Sequence, residues 1–257
     1  MTRKDRGHFY PKNNVNKAES GLWLYGLHAV KAALDNPRRT VKRAVLTERA
    51  VQAIGPRLLS RVRVENGDMD QVSKLLPKDA VHQGAALLCD ALPKLDLEEI
   101  LERPRGNDSR RIVLVLDQIS DPHNVGAILR TAAAFGVAAV LVQDRNSAPE
   151  TGALAKAAAG ALDIIPYVSV VNISRALETL SKLDFYRIAL AGDGDGPLKD
   201  AAPPRDVALV LGSEGEGIRR LVREHCDAGA YITIAKAMES LNVSNAAAVA
   251  LYELRRD

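Results

Sequence analysis

The rhythm of apolar and polar positions changes near residue 111 of this 257-residue chain. Downstream of that point, short and almost unbroken apolar runs alternate with stretches of helical period. "RIVLVLDQI", "VAAVLVQD", "IIPYVSV", "YRIALAGD" and "DVALVLGSE" read as strands, and "AYITIA" as the last of them. Runs of this kind, apolar on both faces, belong to parallel sheets. Between them, "NVGAILRTAAAFG" sets Val125, Ile128, Leu129 and Ala132 on one stripe, with Gly136 as a stop. "ETGALAKAAAGALD", "NISRALETLSKLD" (Asn172 its candidate cap), "GIRRLVREHC" and "SNAAAVALYELRR" complete the predicted helices. Such alternation predicts an α/β fold whose parallel sheet is covered on both faces.

Upstream, residues 21–92 read as a smaller α/β domain. "GLHAVKAALDN" predicts a helix that stops at Asn36-Pro37, and "VKRAVLT" a short strand. "VQAIGPRLLSRV" is partly helical around Pro56, "MDQVSKLLP" is a helix, and "GAALLCDAL" is a buried strand. A unit of about 70 residues can hold a core of its own. Residues 1–20 are polar and basic and predict a disordered tail. Residues 93–110 are charged, carry two prolines and predict a linker with one helical turn at its centre.

Composition narrows the classes only modestly. The formal charge of +3 permits an RNA partner without requiring one. Two cysteines, Cys89 and Cys226, form neither a disulfide framework nor a zinc spacing, which fits a reducing cytoplasm. The first residues lack the apolar stretch of a signal peptide. No apolar run approaches the ~18 residues that cross a bilayer. Neither a membrane nor a metal is expected as a partner.

In parallel α/β sheets ligands collect at the carboxyl ends of the strands. Three segments fall there. "LVLGSEGEGI" places Gly212, Gly215 and Gly217 around Glu214. Glycines let backbone approach a ligand, and successive N–H groups can cradle a polar group. The segment is neither a Walker loop nor a dinucleotide fingerprint, which disfavours a nucleotide-dependent oxidoreductase. "DPHNVGAILR" offers Asp121-Pro122 as a helix entry, followed by His123, Asn124 and Arg130. "SLNVSNAAAVALYEL" sets Ser240, Asn242, Ser244 and Asn245 against an apolar helix, where one cap needs only one such residue. Each segment alone has an ordinary structural reading. Three in order, at three strand ends, point to a common site.

These segments resemble the three motifs of the SpoU/TrmH family of RNA ribose 2′-O-methyltransferases. The first is "DQISDPHNVGAILRTAAAFGV", the second "LVLGSEGEGI" and the third "SLNVSNAAAVALYE". The stretch from "WLYGLHAVKAAL" through "HQGAALLCDAL" resembles the small substrate-binding domain of the RlmB-type branch, itself similar to certain RNA-binding ribosomal proteins. The resemblance implies that residues 111–257 form a methyltransferase domain with a deep trefoil knot. It also implies S-adenosylmethionine as cofactor, and a homodimer whose active site lies near the subunit interface. Carried over by position, Arg130, Asn124, Glu214, Ser240 and Asn242 are the catalytic set. Gly212, Ile232, Ile234 and Leu241 are the cofactor contacts, largely through backbone. The expected substrate is a ribose, that of a guanosine, in 23S ribosomal RNA. Transfer RNA as substrate, or an inactive RNA-binding member of the fold, stay open as alternatives. The third motif departs from the family, which usually has Ile-Pro-Met and then Gly two residues later. Here the run is Ile232-Thr233-Ile234, with Lys236 at the glycine position. A left-handed backbone there would strain Lys236.

Overall fold

The computed structural model describes residues 20–102 and 110–256. The expected basic tail, apart from Ser20, and the middle of the expected linker lie outside the described residues. The N-terminal elements are β1 (Leu22–Tyr25), α1 (Leu27–Asp35), β2 (Val41–Leu46), α2 (Glu48–Ile54), α3 (Pro56–Leu59), β3 (Arg63–Asn66), α4 (Met69–Ser73) and β4 (Ala85–Cys89). Their four strands make one sheet in the order β1-β4-β2-β3. α5 (Leu97–Leu101) is the helical turn expected at the centre of the following segment.

The second sheet begins with β5 (Ile112–Asp117), α6 (Pro122–Ala134), β6 (Ala139–Gln143), α7 (Gly152–Ala157) and β7 (Tyr167–Val170). It continues with α8 (Ile173–Lys182), β8 (Tyr186–Leu190), β9 (Gly196–Pro197), α9 (Leu198–Ala201) and β10 (Val207–Gly212). α10 (Arg220–Arg223), β11 (Ala228–Tyr231) and α11 (Val243–Arg255) complete it. Seven strands lie in the order β7-β6-β5-β10-β8-β11-β9, every pair parallel.

The alternation of strand side chains explains why the runs are apolar throughout. Ile112, Leu114 and Leu116 of β5 face one core with Val125, Ile128, Leu129 and Ala132 of α6, the predicted stripe. Val113 and Val115 face a second core with Ile173, Ala176, Leu177 and Leu180 of α8. The same second core takes in Leu97, Ile100 and Leu101 of α5. Burial on both faces leaves no room for polar alternation.

Several elements differ from the periodicity, each for a tertiary reason. The predicted helix over "ETGALAKAAAGALD" breaks after Ala157. Ala159 and Gly160 turn left-handed at φ 49° and 95°, and Ala161–Asp163 resumes as a separate 3-10 turn. The helix over "GIRRLVREHC" shrinks to four residues. Its bonds tighten to three-residue spacing at His225 and Cys226. The strand over "AYITIA" ends at Tyr231, because its neighbours β8 and β9 run out at Leu190 and Pro197. Ile232 and Ile234 therefore leave the sheet. Gly55, at φ 85°, divides the helical stretch around Pro56 into α2 and α3. β1, β3, β9 and α9 are too short for periodicity to reveal.

Candidate active site

All seven parallel strands point their carboxyl ends to one edge of the second sheet. The chain winds from β5 outward to β7, then crosses to β8 on the far side of β10. The reversal between β5 and β10 opens a crevice at their ends, where ligands of such sheets bind. The segments following β5, β10 and β11 meet there.

One carboxylate gathers them. Glu214 Oε1 accepts from Asn124 Nδ2 at 3.2 Å, from Asn242 Nδ2 at 2.5 Å and from the Val243 amide at 3.4 Å. Asn242 Nδ2 also donates to Asn124 Oδ1 at 3.0 Å. One residue from each sequence segment thus closes a triangle of polar side chains across 118 residues of chain. Asn242 serves α11 as well, since its Oδ1 accepts from the Ser244 amide at 3.0 Å and from Ser244 Oγ at 2.6 Å. The polar surplus before α11 is therefore divided: Asn242 and Ser244 cap and brace the helix, Ser240 faces a cleft, and Asn245 is exposed. Asn124 is not the cap of α6. Asp121 is, through the His123 amide at 3.0 Å.

Beside the triangle lies a cleft of about 420 Å³. Gly212, Glu214, Ile232, Ile234, Ser240 and Leu241 all line it. The structure thus brings the four expected cofactor contacts and two of the expected catalytic residues to one cavity. Gly212 is where bulk is least tolerable: a Cβ there would stand 2.2 Å from the Gly217 carbonyl carbon and 2.4 Å from the Ile218 nitrogen. Lys236 is described and is not among the residues with positive φ. The strain expected of a non-glycine residue there is absent, so the loop has been rebuilt around an ordinary backbone.

Arg130 stands apart. It is exposed on α6, six residues beyond Asn124 and on another side of the helix. It does not line the cleft. None of the hydrogen bonds that close the triangle involves it.

The residues that hold the second segment in place were not legible as site residues. Asp117, fully buried at the end of β5, accepts from the Arg219 amide at 2.9 Å and from Arg219 Nε at 2.8 Å. Arg219 Nη2 also donates to Gln143 Oε1 at 2.8 Å. Arg219 follows directly on the glycine-rich loop, so this clamp ties the loop that carries Glu214 to the ends of β5 and β6. The one sequence signal was an aspartate closing an otherwise apolar strand. Cysteine chemistry is not on offer at neutral pH, because burial pushes both the Cys89 and Cys226 thiols up to about 12. No helix among the described residues is long and apolar enough to cross a membrane.

Comparison with known proteins gives this geometry a context. The SpoU rRNA Methylase family matches residues 111–252, and the RNA 2′-O ribose methyltransferase substrate binding family matches residues 23–95. The chain is 39% identical over 239 residues to the 23S rRNA (guanosine-2′-O-)-methyltransferase RlmB of Pasteurella multocida, covering 91% of this chain and 97% of that protein. It is 38% identical over 242 residues to the protein of the same name from Pseudomonas aeruginosa, covering 91% and 95%. Among solved structures, the SpoU methyltransferase AviRb from Streptomyces viridochromogenes, in complex with the cofactor AdoMet, superposes with a TM-score of 0.75. That likeness, at 23% identity over 91% of this chain and 89% of the other, is one of fold. The matched family covers more than half of the residues, and its three motif segments converge on a single crevice: the chain belongs to the SpoU rRNA methylase family.

Proposed function

We propose that this protein methylates the ribose 2′-oxygen of a guanosine in 23S ribosomal RNA, in the cytoplasm, with S-adenosylmethionine as the methyl donor. The observation that carries the reading is the polar triangle of Asn124, Glu214 and Asn242 set against the cleft lined by Gly212, Ile232, Ile234 and Leu241. The cleft suits the cofactor in size and in its mixture of apolar wall and open backbone, with Gly212 keeping one side bare. When bound, the cofactor supplies a methyl group already activated on a sulfonium, so no metal is needed. The work left to the chain is to orient the 2′-hydroxyl and draw off its proton. Glu214 and the two asparagines set the shape of the nucleotide site, and Ser240 contributes from the cleft wall. Arg130 orients the hydroxyl. A guanidinium is a poor base, so a substrate phosphate beside it is the better acceptor.

The reading includes a homodimer with the active site near the subunit interface. Arg130 is exposed and does not line its own cleft, and Val249 and Tyr252 leave an apolar stripe uncovered on α11, the helix packed on α6. It also includes the trefoil knot. After β11, the chain returns past β8 to pack α11 on α6, α9 and β10, a path suited to threading. The N-terminal sheet recruits the RNA.

The decisive experiment supplies purified protein with labelled S-adenosylmethionine and either unmodified 23S ribosomal RNA or transfer RNA, and maps the 2′-O-methyl groups formed. One modified guanosine in 23S RNA is expected. Label in transfer RNA alone, or in neither RNA, would sink the reading. A second expectation concerns Lys236. Its backbone is not left-handed, so Lys236→Gly only adds freedom to the loop, at about 0.4–1 kcal/mol. Calorimetry should give roughly two- to fivefold weaker cofactor binding. Tighter binding would mean that the loop does favour a glycine conformation.

A further inference from the structure

The two sheets are fastened by a charge cluster that catalysis does not use. Arg39 lies in the turn between α1 and β2, only 2% exposed. Its Nε and Nη2 donate to the two oxygens of Asp163 at 2.9 and 3.0 Å. Its Nη1 donates to the Asp90 carbonyl at 3.1 Å and pairs with Glu150. Asp163 ends the 3-10 turn after α7, and Glu150 lies just ahead of α7, so the guanidinium grips both flanks of that helix. Asn36 Nδ2 adds a bond to Asp163 Oδ1 at 3.0 Å, and Glu150 Oε2 accepts from the Leu92 amide at 2.9 Å. The side chains of Arg39 and Asp163 are 0% and 1% exposed.

Shape reinforces the grip. A Cβ on Gly152 of α7 would stand 2.4 Å from the Trp23 carbonyl oxygen of β1. One on Gly160, held at φ 95°, would stand 2.8 Å from the Ala32 Cβ of α1. Leu24, Ala29 and Ala33 share one continuous core with Leu154, Ala158 and Leu162. Apolar packing alone would hold the sheets together but would tolerate sliding. A bidentate guanidinium–carboxylate pair does not, because any rotation leaves buried charges unpaired. Buried ion pairs add little net stability over apolar residues of the same volume, so orientation is the function they serve best.

We infer that Arg39 is a positioning residue for substrate selection: with Asp163 and Glu150 it fixes the RNA-binding sheet at one distance and angle from the strand-end crevice of its own subunit. The inference rests on the reading above that the N-terminal sheet binds the RNA. The paired domains then act as a ruler that selects one ribose, where a loosely tethered domain would only raise the local concentration of RNA.

The test compares wild type with the triple variant Arg39→Met, Glu150→Gln, Asp163→Asn, which keeps the volumes and removes all three charges. The expected result is a KM for 23S RNA raised about tenfold and methylation at additional riboses. Cofactor affinity, and kcat on a short RNA carrying only the target loop, should stay at wild-type values. A folded variant with wild-type KM and a single methylated ribose would overturn the role of Arg39. Absence of any 23S methylation by wild type in the same assay would instead remove the underlying reading, and the inference with it. Should the variant not fold, energy transfer in otherwise native protein decides the matter, between dyes at the exposed positions Val81→Cys and Leu221→Cys in the presence of excess unlabelled chain. One narrow distance, unchanged by RNA, supports the ruler, and a broad distribution overturns it.

Discussion

Arg130→Ala is expected to slow methyl transfer by about 10²–10⁴-fold, the range that loss of assistance to a proton transfer costs. The fold should not notice the change. Arg130 is exposed, and its side chain takes no part in the cores that bury Val125, Ile128, Leu129 and Ala132 of the same helix. Cofactor affinity should stay within about twofold, because the cleft is walled by the segments after β8, β10 and β11, and α6 contributes nothing to it. The loss should therefore fall on kcat at saturating cofactor. Arg130→Lys should fail nearly as badly, since an ammonium cannot reproduce the planar fork that holds a hydroxyl and a phosphate together. Single-turnover rates, with calorimetry for the cofactor, check both. Wild-type turnover in the alanine variant would remove Arg130 from the reaction.

Gly212→Ala should act in the opposite way, on binding. The added methyl meets the Gly217 carbonyl carbon at 2.2 Å, its oxygen at 2.4 Å and the Ile218 nitrogen at 2.4 Å. All three are backbone atoms, so no rotamer change relieves the contact. The glycine-rich loop must move as a body, yet Asp117 holds its far end through Arg219. Overpacking of this kind costs about 1–3 kcal/mol. If half of that falls on the cofactor site, S-adenosylmethionine affinity drops by roughly two- to thirteenfold, and by up to about a hundredfold if nearly all of it does. Gly215→Ala is the control, because nothing lies within 4 Å of a Cβ there. Equal cofactor affinities in the two variants would show that the loop conformation does not govern binding.

The sequence carried the local terms. Apolar runs such as "RIVLVLDQI" specify strands buried on both faces, and the stripe Val125, Ile128, Leu129 and Ala132 specifies a helix with one buried side. Those patterns depend on neighbours a few residues away, and they set the α/β class and the strand ends where a site had to lie. Motif resemblance then named the residues of the three loops, and six of the nine came together at one cleft. Tertiary structure decided what depends on distant partners. Whether Asn124, Glu214 and Asn242 touch is set by the strand order β5-β10-β8, which no periodicity encodes. The break of the helix after Ala157 is fixed by the close approach of Gly160 to Ala32. The end of β11 is fixed by where its neighbours stop. Nothing in the sequence marks Arg39, because its burial and its pairing with Glu150 and Asp163, more than a hundred residues away, exist only once the two sheets have met. Charge pairing over such separations is a property of the packed chain, and the sequence holds the partners without stating that they pair.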